Sequence, residues 1–419
     1  MSFSGSTITF IILFTMLVDI LVHGIADALN LKMLRNELPQ AFKGLYGARR
    51  YRRSQEYLKV NTRFKWIVSF YGLIITLLFW FGHGFPILDN WVRSFELGPV
   101  LSGLIFMSVL LLAKTVLELP FDIYDTFVIE TRFGFNKTTW KTYIADAVKG
   151  IGLALVIGGP LLAAVLAFFE YAGENAWFWC WLAVTVFSLI MQYVAPTWIM
   201  PLFNKFEPLE QGELKDAILS YAQSIDFSLE NVFIMDGSKR SAKSNAFFTG
   251  FGKHKRIVLF DTLIKQHTVA ELVAVLAHEM GHYKKKHIQM TLILGILQTG
   301  IMFWLMAQFI TFQELFDAFY MDKKSVYAGL IFFGMLYSAL DFILGFFLQM
   351  LSRKNEFQAD RFAAQTTGDA SSLAEALKKL SVHNLSNLQP HPFYVSLNYS
   401  HPPVLERLKA LNDQRVEVA

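Results

Sequence analysis

A single cysteine, Cys180, occurs in 419 residues, which excludes an internal disulfide; it falls in an aromatic-rich apolar stretch, where packing is its expected role. Charge is scarce too. Charged residues make up 17% of the chain against 54% hydrophobic and 15% aromatic, and with a mean hydropathy of +0.38 this composition excludes a soluble enzyme. No internal repeat, low-complexity tract or clean domain linker divides the sequence. The first apolar run lacks a basic n-region and is too long for a cleavable signal peptide, so it reads as a retained signal anchor. Neither end carries a lipidation motif, and the tail closing at Ala419 has no dilysine or other retrieval signal. The net charge of +4 says little, and the basic runs read as contacts with membrane lipids, with no nucleic acid as partner.

What is present in abundance is long apolar runs. A helix needs about 20 mostly apolar residues to cross the hydrocarbon core, and seven stretches qualify: about 7–29, 65–84, 98–117, 147–170, 176–199, 288–312 and 325–350. Six spans, with 98–117 peripheral, is the alternative. About ten Lys/Arg crowd the first connection, from Lys32 to Lys65, and about twelve more lie between the fifth and sixth spans. The alternate connections hold almost none. The positive-inside rule then puts the N-terminus outside or lumenal, and the segment before the sixth span and the C-terminus in the cytoplasm. The membrane would be the endoplasmic reticulum in a eukaryote and the inner membrane in a bacterium. The sequons at Asn136 and Asn398 fall on the predicted cytoplasmic side and read as accidental.

Between the fifth and sixth spans stands His278-Glu279-Met280-Gly281-His282. Positions four apart share a helix face, so both imidazoles can reach one metal ion, with Glu279 placed to take a proton from an attacking water. Thr268 and Glu271 form a capping box ahead of it, and Leu272, Val275, Leu276 and Met280 have helical spacing. Alone, the pentapeptide also fits two surface histidines on an amphipathic helix. A catalytic zinc usually takes a third protein ligand. The metzincin arrangement fails because Lys285 and Ile288 stand where its Gly and His belong. His287 lies five residues past His282, rotated off the ligand face, and reads as a solvated end-of-helix histidine. Glu356 and Asp360 share a face, so one could bind zinc while the other holds a ligand histidine in its tautomer. An exposed charge pattern remains open for that pair.

Further segments carry a resemblance. Pro120 to Phe127 (PFDIYDTF), Ile129-Glu130, Gly134-Phe135-Asn136, Pro201 to Phe206, Ser244 to Phe251, HEMGH, Glu356 to Asp360 and Ser400-His401-Pro402-Pro403 occur in order. Together they resemble the type I CAAX prenyl proteases, which are membrane gluzincins. The resemblance implies His278, His282 and Glu356 as ligands of one Zn2+, Glu279 as catalytic base, and His401 on the oxyanion with Arg407 supporting it. It also implies an edge strand at Asn245 that binds peptide in extended form, and seven helices in a barrel around a chamber. The implied substrate is a peptide or protein with a prenylated C-terminus, cut to release its last three residues. Tyr283 stands where a tryptophan is expected in some relatives.

The expected fold is therefore mostly α and polytopic, with a zincin-like part carrying a small sheet. Its expected divisions are 1–200 (spans one to five), 201–287 (the HEMGH segment), 288–352 (spans six and seven) and 353–419 (a C-terminal cytoplasmic segment). Pro120–Ala147 reads as non-membrane, and Asn231–Met235, Asn245–Phe251 and Arg256–Phe260 as strands. Asp19, His23 and Asp27 repeat along one face of the first span, Lys114 and Glu118 pair in the third, and Asp341 sits inside the seventh. Such charges form interhelical salt bridges or line a cavity. Two other functions stay open: a membrane-protein quality-control protease of the same fold, and a transporter with a structural metal site along that polar path.

Overall fold

The computed structural model describes residues 4–35, 37–229, 231–249 and 256–418. Among these, seven helices are long and apolar enough to cross a membrane: Gly5–Lys32, Ala48–Phe81, Pro99–Glu130, Trp140–Tyr171, Gly173–Phe203, His287–Phe309 and Val326–Thr367. Helices are the expected answer, because in hydrocarbon each backbone polar group must find its partner within the segment. Six-span topology is thereby set aside.

Three helices run well past their predicted bounds, and the second begins at Ala48, so that much of the basic first connection is helical. The third continues through Pro120 and closes in a π-helical turn, Asp125–Glu130. The exit from the membrane helix expected at Pro120 does not occur. A proline removes one backbone hydrogen bond, yet Pro120 lies inside this helix without ending it. The seventh helix runs unbroken for 42 residues through position 352 and on to Thr367. At 1.5 Å per residue that is about 63 Å, roughly twice a hydrocarbon core. Glu356 and Asp360 thus ride on the end of a membrane helix.

Neighbouring helices touch in a closed circuit. The first packs on the second and the seventh; the fourth on the third and fifth; the sixth on the fifth and seventh. Aromatic contacts of Phe64 with Tyr124 and of Tyr71 with Phe121 join the second to the third. Burial along each helix explains the shape. The first helix buries Ile8 and Ile12 near one end and Ala26, Asp27 and Asn30 near the other, with none between. The seventh buries Tyr327 to Phe333 and then nothing until Asn355. The sixth buries His287, then Phe303 and Met306. Helices packed at their ends and bare in the middle enclose a hollow, and the fold is a helical barrel.

Asp19 with His23 (3.6 Å) and Lys114 with Glu118 (3.8 Å) pair within their own helices, not between helices. The cross-helix contacts are hydrogen bonds, from Trp66 Nε1 to Asp27 (2.9 Å) and from Gln298 Nε2 to Asp341 (3.2 Å). Asp19, His23 and Asp27 line a cavity of about 480 Å³. Cys180 is buried in the apolar cluster at the far end of the barrel.

At the other end sits a four-stranded sheet in the order β1–β2–β4–β3: β1 Phe206–Pro208, β2 Asn231–Met235, β3 Ala246–Thr249 and β4 Arg256–Phe260. Strands β2 and β4 are parallel, and β3 runs antiparallel to β4 at the sheet edge. Gly250 and Phe251 of the strand expected over Asn245–Phe251 lie outside the described residues. The HEMGH helix, Val269–Lys284, packs against β3 and the seventh helix and on helices Glu213–Ser224 and Ala370–His383.

Candidate active site

The HEMGH helix starts with a complete capping box: the Glu271 N–H donates to Thr268 Oγ1 at 3.3 Å, and the Thr268 N–H donates to Glu271 Oε2 at 3.0 Å. Its apolar face, including Leu272, Leu276 and Met280, is buried in the core of the head, the part formed by this sheet and the helices packed on it. Gly281 decides how near the seventh helix can come. A Cβ there would lie 3.3 Å from the Ala359 backbone and 3.1 Å from the Phe362 ring. With only Gly281 and Ala359 at the crossing, the two backbones approach closely enough for Glu356 to reach the histidines.

The three donors converge. His278 Nε2 and His282 Nε2 are 3.2 Å apart; Glu356 Oε2 is 3.4 Å from the first and Oε1 is 3.2 Å from the second. The two Nε2 atoms face each other, and the buried Glu356 Oε2 has no hydrogen-bond partner among the described residues. A tetrahedral cation with bonds near 2.05 Å needs donors about 3.3 Å apart. Donor type and spacing both fit a zinc-like metal. Glu279 lies beside this triangle. It is the one residue from Ala277 to Gly281 that is not buried, and it borders both a cavity of about 1000 Å³ within the barrel and one of about 170 Å³ beneath β3.

Behind the triangle, Asp360 accepts from His278 Nδ1 at 2.8 Å. Asp360 is itself gripped at both oxygens by Arg407, at 2.8 Å from Nε and 2.6 Å from Nη2. Both are buried, and paired burial is the condition under which such charges persist. Burial alone would depress the His278 pKa, but the Asp360 and Glu356 carboxylates overcome it and hold it at about 9. Metal binding at neutral pH must therefore displace a proton. His401 stands exposed on the rim, with Nε2 3.3 Å from Glu356 Oε1 and Nδ1 2.8 Å from Ser400 Oγ.

Asn245, also exposed, leads into β3 and borders the smaller cavity with Glu279, His401 and Arg407. Its approach is anchored on both sides. Ser244 exchanges two hydrogen bonds with Asn384, at 3.1 and 3.2 Å, and Lys243 pairs with Glu130 of the third membrane helix at 2.9 Å. The structure thus gathers all eight residues singled out from sequence around one point. His287 differs from expectation. It is buried, 3.1 Å from His282 Nδ1 and 3.0 Å from Gln358 Oε1. The HEMGH helix stops, Lys286 takes a left-handed conformation (φ 62°), and a new helix begins at His287. On one continuous helix it would point away from His282, and the three lysines before it carry no sign of the break.

Residues 27–205 match a family described as CAAX prenyl protease N-terminal, five membrane helices, and residues 208–415 match peptidase family M48. The chain is 36% identical over 386 residues to the CAAX prenyl protease 1 homolog of Oryza sativa subsp. japonica, covering 90% of each. It is 34% identical over 412 residues to CAAX prenyl protease 1 of Saccharomyces cerevisiae, covering 91% of this chain and 90% of that protein. The crystal structure of S. mikatae Ste24p superposes with a TM-score of 0.89 at 34% identity, covering 96% of this chain and 98% of that one. Metal-ligand geometry on a barrel of membrane helices and these likenesses agree: the chain belongs to peptidase family M48 and is an integral membrane metallopeptidase.

Proposed function

We propose that this enzyme is a zinc endopeptidase that cuts prenylated CAAX C-termini and releases the last three residues. The observation that carries this reading is the position of Glu279 between two unlike cavities. On one side is the large barrel cavity, with apolar lining from Val184, Phe247, Phe248, Leu292 and Leu348. On the other is the small one, floored by Leu263, Val275, Leu373 and Leu377. A lipid-bearing residue suits the first, and a branched aliphatic side chain suits the second. His278, His282 and Glu356 would hold one Zn2+ per chain. When bound, zinc supplies Lewis acidity for the scissile carbonyl and the attacking water.

The remaining work belongs to the chain's own residues. Glu279 removes a proton from the attacking water and returns it to the leaving amine. His401 donates to the oxygen that gains charge, and Arg407 braces the cluster behind it. Asp360 keeps the His278 proton on Nδ1. Asn245 and β3 hold the substrate backbone as an added strand, which binds a peptide whatever its side chains. The four stretches 1–200, 201–287, 288–352 and 353–419 act as one unit, since ligands come from the second and last. We place the N-terminus outside or lumenal and the head in the cytoplasm on the charge alternation, with membrane lipids around the barrel and the endoplasmic reticulum as the compartment.

The test compares a farnesylated CAAX peptide with its unprenylated form and uses Glu279→Gln. Wild-type protein should release the tripeptide from the farnesylated peptide preferentially. Glu279→Gln should keep its zinc and lose cleavage by a factor on the order of 10³. Equal turnover of both peptides overturns prenyl specificity, and full cleavage by Glu279→Gln overturns the mechanism.

A further inference from the structure

His282 turns its Nε2 toward Glu356 and His278, which leaves Nδ1 on the far side of the ring. There His287 Nδ1 stands 3.1 Å away, and His287 Nε2 is 3.0 Å from Gln358 Oε1. One requirement orders every proton along this line. A His282 that offers its Nε2 lone pair to a cation must carry its proton on Nδ1. That N–H points at His287 Nδ1, which must accept. The His287 proton then sits on Nε2 and is donated to Gln358. Each contact has one donor and one acceptor, and only the neutral form of His287 completes the chain.

The two ligand histidines are therefore braced by different chemistry. His278 leans on the carboxylate of Asp360, held by Arg407. His282 leans on a neutral imidazole and an amide drawn from two membrane helices, His287 opening the sixth and Gln358 lying on the seventh. Nothing in the catalytic assignment above uses either residue. We propose that His287 and Gln358 are a positioning pair, which fixes the tautomer and ring plane of His282 for metal binding. The inference rests on His278, His282 and Glu356 being the ligand set.

Zinc affinity of the full-length protein in detergent, measured by chelator competition, tests it independently of cleavage. His287→Phe keeps the bulk and removes the acceptor. It should lower affinity 10- to 100-fold, the usual cost of losing a ligand's outer partner. His287→Gln retains an acceptor and should stay much nearer wild type. Gln358→Leu should fall and Gln358→Glu should not. Melting of the zinc-free protein should be similar for His287→Phe and His287→Gln, because both fill the space. Wild-type affinity in His287→Phe, or an equal loss in His287→Phe and His287→Gln, overturns the pair. His278→Ala separates this from failure of the ligand set: if that variant binds zinc normally, the ligand assignment falls; if it loses zinc while His287→Phe keeps it, only the brace falls.

Discussion

The two ends of the barrel are closed by different balances of aromatic and ionic contacts. Away from the site, aromatic rings interlock: Phe319 stacks on Phe332 at 3.8 Å and on Trp80 at 4.5 Å, while Phe85 meets both Phe319 and Phe332 edge-on. The buried polar contacts there include Trp80 Nε1 donating to the Ala318 carbonyl at 2.8 Å, and Asp89, which accepts from Arg93 Nε at 2.6 Å and from the Tyr327 hydroxyl. At the site end the buried groups are ionic, with Glu356, Asp360, His278 and Arg407 packed together. The seventh helix contributes to both closures, from Tyr327 to Phe333 and from Asn355 to Ala364. Aromatic packing does most to hold the ring of helices shut, with the Asp89–Arg93 pair set into it. The ionic end specifies protons, and its cost in desolvation is justified by what it binds.

That contrast can be broken at either end. Asp360→Ala takes from the buried Arg407 guanidinium its two-pronged partner, leaving it the 3.5 Å contact with Glu356, and frees the His278 ring. Breaking such a buried pair costs about 3–5 kcal/mol; zinc content and thermal melting should both drop. Replacing Asp360 and Arg407 together with apolar residues should restore melting but not zinc. Phe332→Ala should cost about 3–5 kcal/mol of stability through the cavity it leaves, while zinc affinity of the folded protein holds. If zinc affinity falls with it, the ends are coupled through the seventh helix and the contrast fails.

Smaller effects sharpen the comparison. Below about 9, His278 of the metal-free site holds a proton that zinc must displace. Apparent affinity should therefore rise by up to about tenfold per pH unit and level off above that value. Calorimetry in buffers of different ionisation enthalpy counts the protons released. A site whose affinity is flat from pH 6 to 9 contradicts the assignment. Least of all, Asp369 caps the helix Ala370–His383, and hydrogen bonds from Ser371 and Ser372 pull its carboxyl down to about 2. The folded pKa lies below the unfolded one, so the cap's contribution is present above about pH 4 and is lost as pH falls through about 2. Asp369→Ala should cost about 1 kcal/mol at neutral pH, read as a small melting shift with zinc unaffected.

Much of this was legible from residues alone. Apolar length marked seven helices, Thr268 and Glu271 marked the start of the HEMGH helix, and spacing of four put His278 with His282 and Glu356 with Asp360. Those signals are local, and local patterns survive folding. The helix beyond Pro120 was not legible, because a proline is read as an end and this helix carries it in its interior. Nor was His287, since one left-handed residue at Lys286 redirects everything after it.

By itself, then, the sequence determined the helices, the donor types and the face each donor occupies. Periodicity and side-chain chemistry suffice for that. Only the tertiary structure decided that the helices close into a hollow barrel, because hollowness is an absence of contacts that no stretch of chain encodes alone. The close crossing at Gly281 and Ala359 brings Glu356 within 3.4 Å of both histidine Nε2 atoms, across two intervening membrane helices. A distance between segments so far apart in the chain is set by packing, and packing belongs to the whole fold.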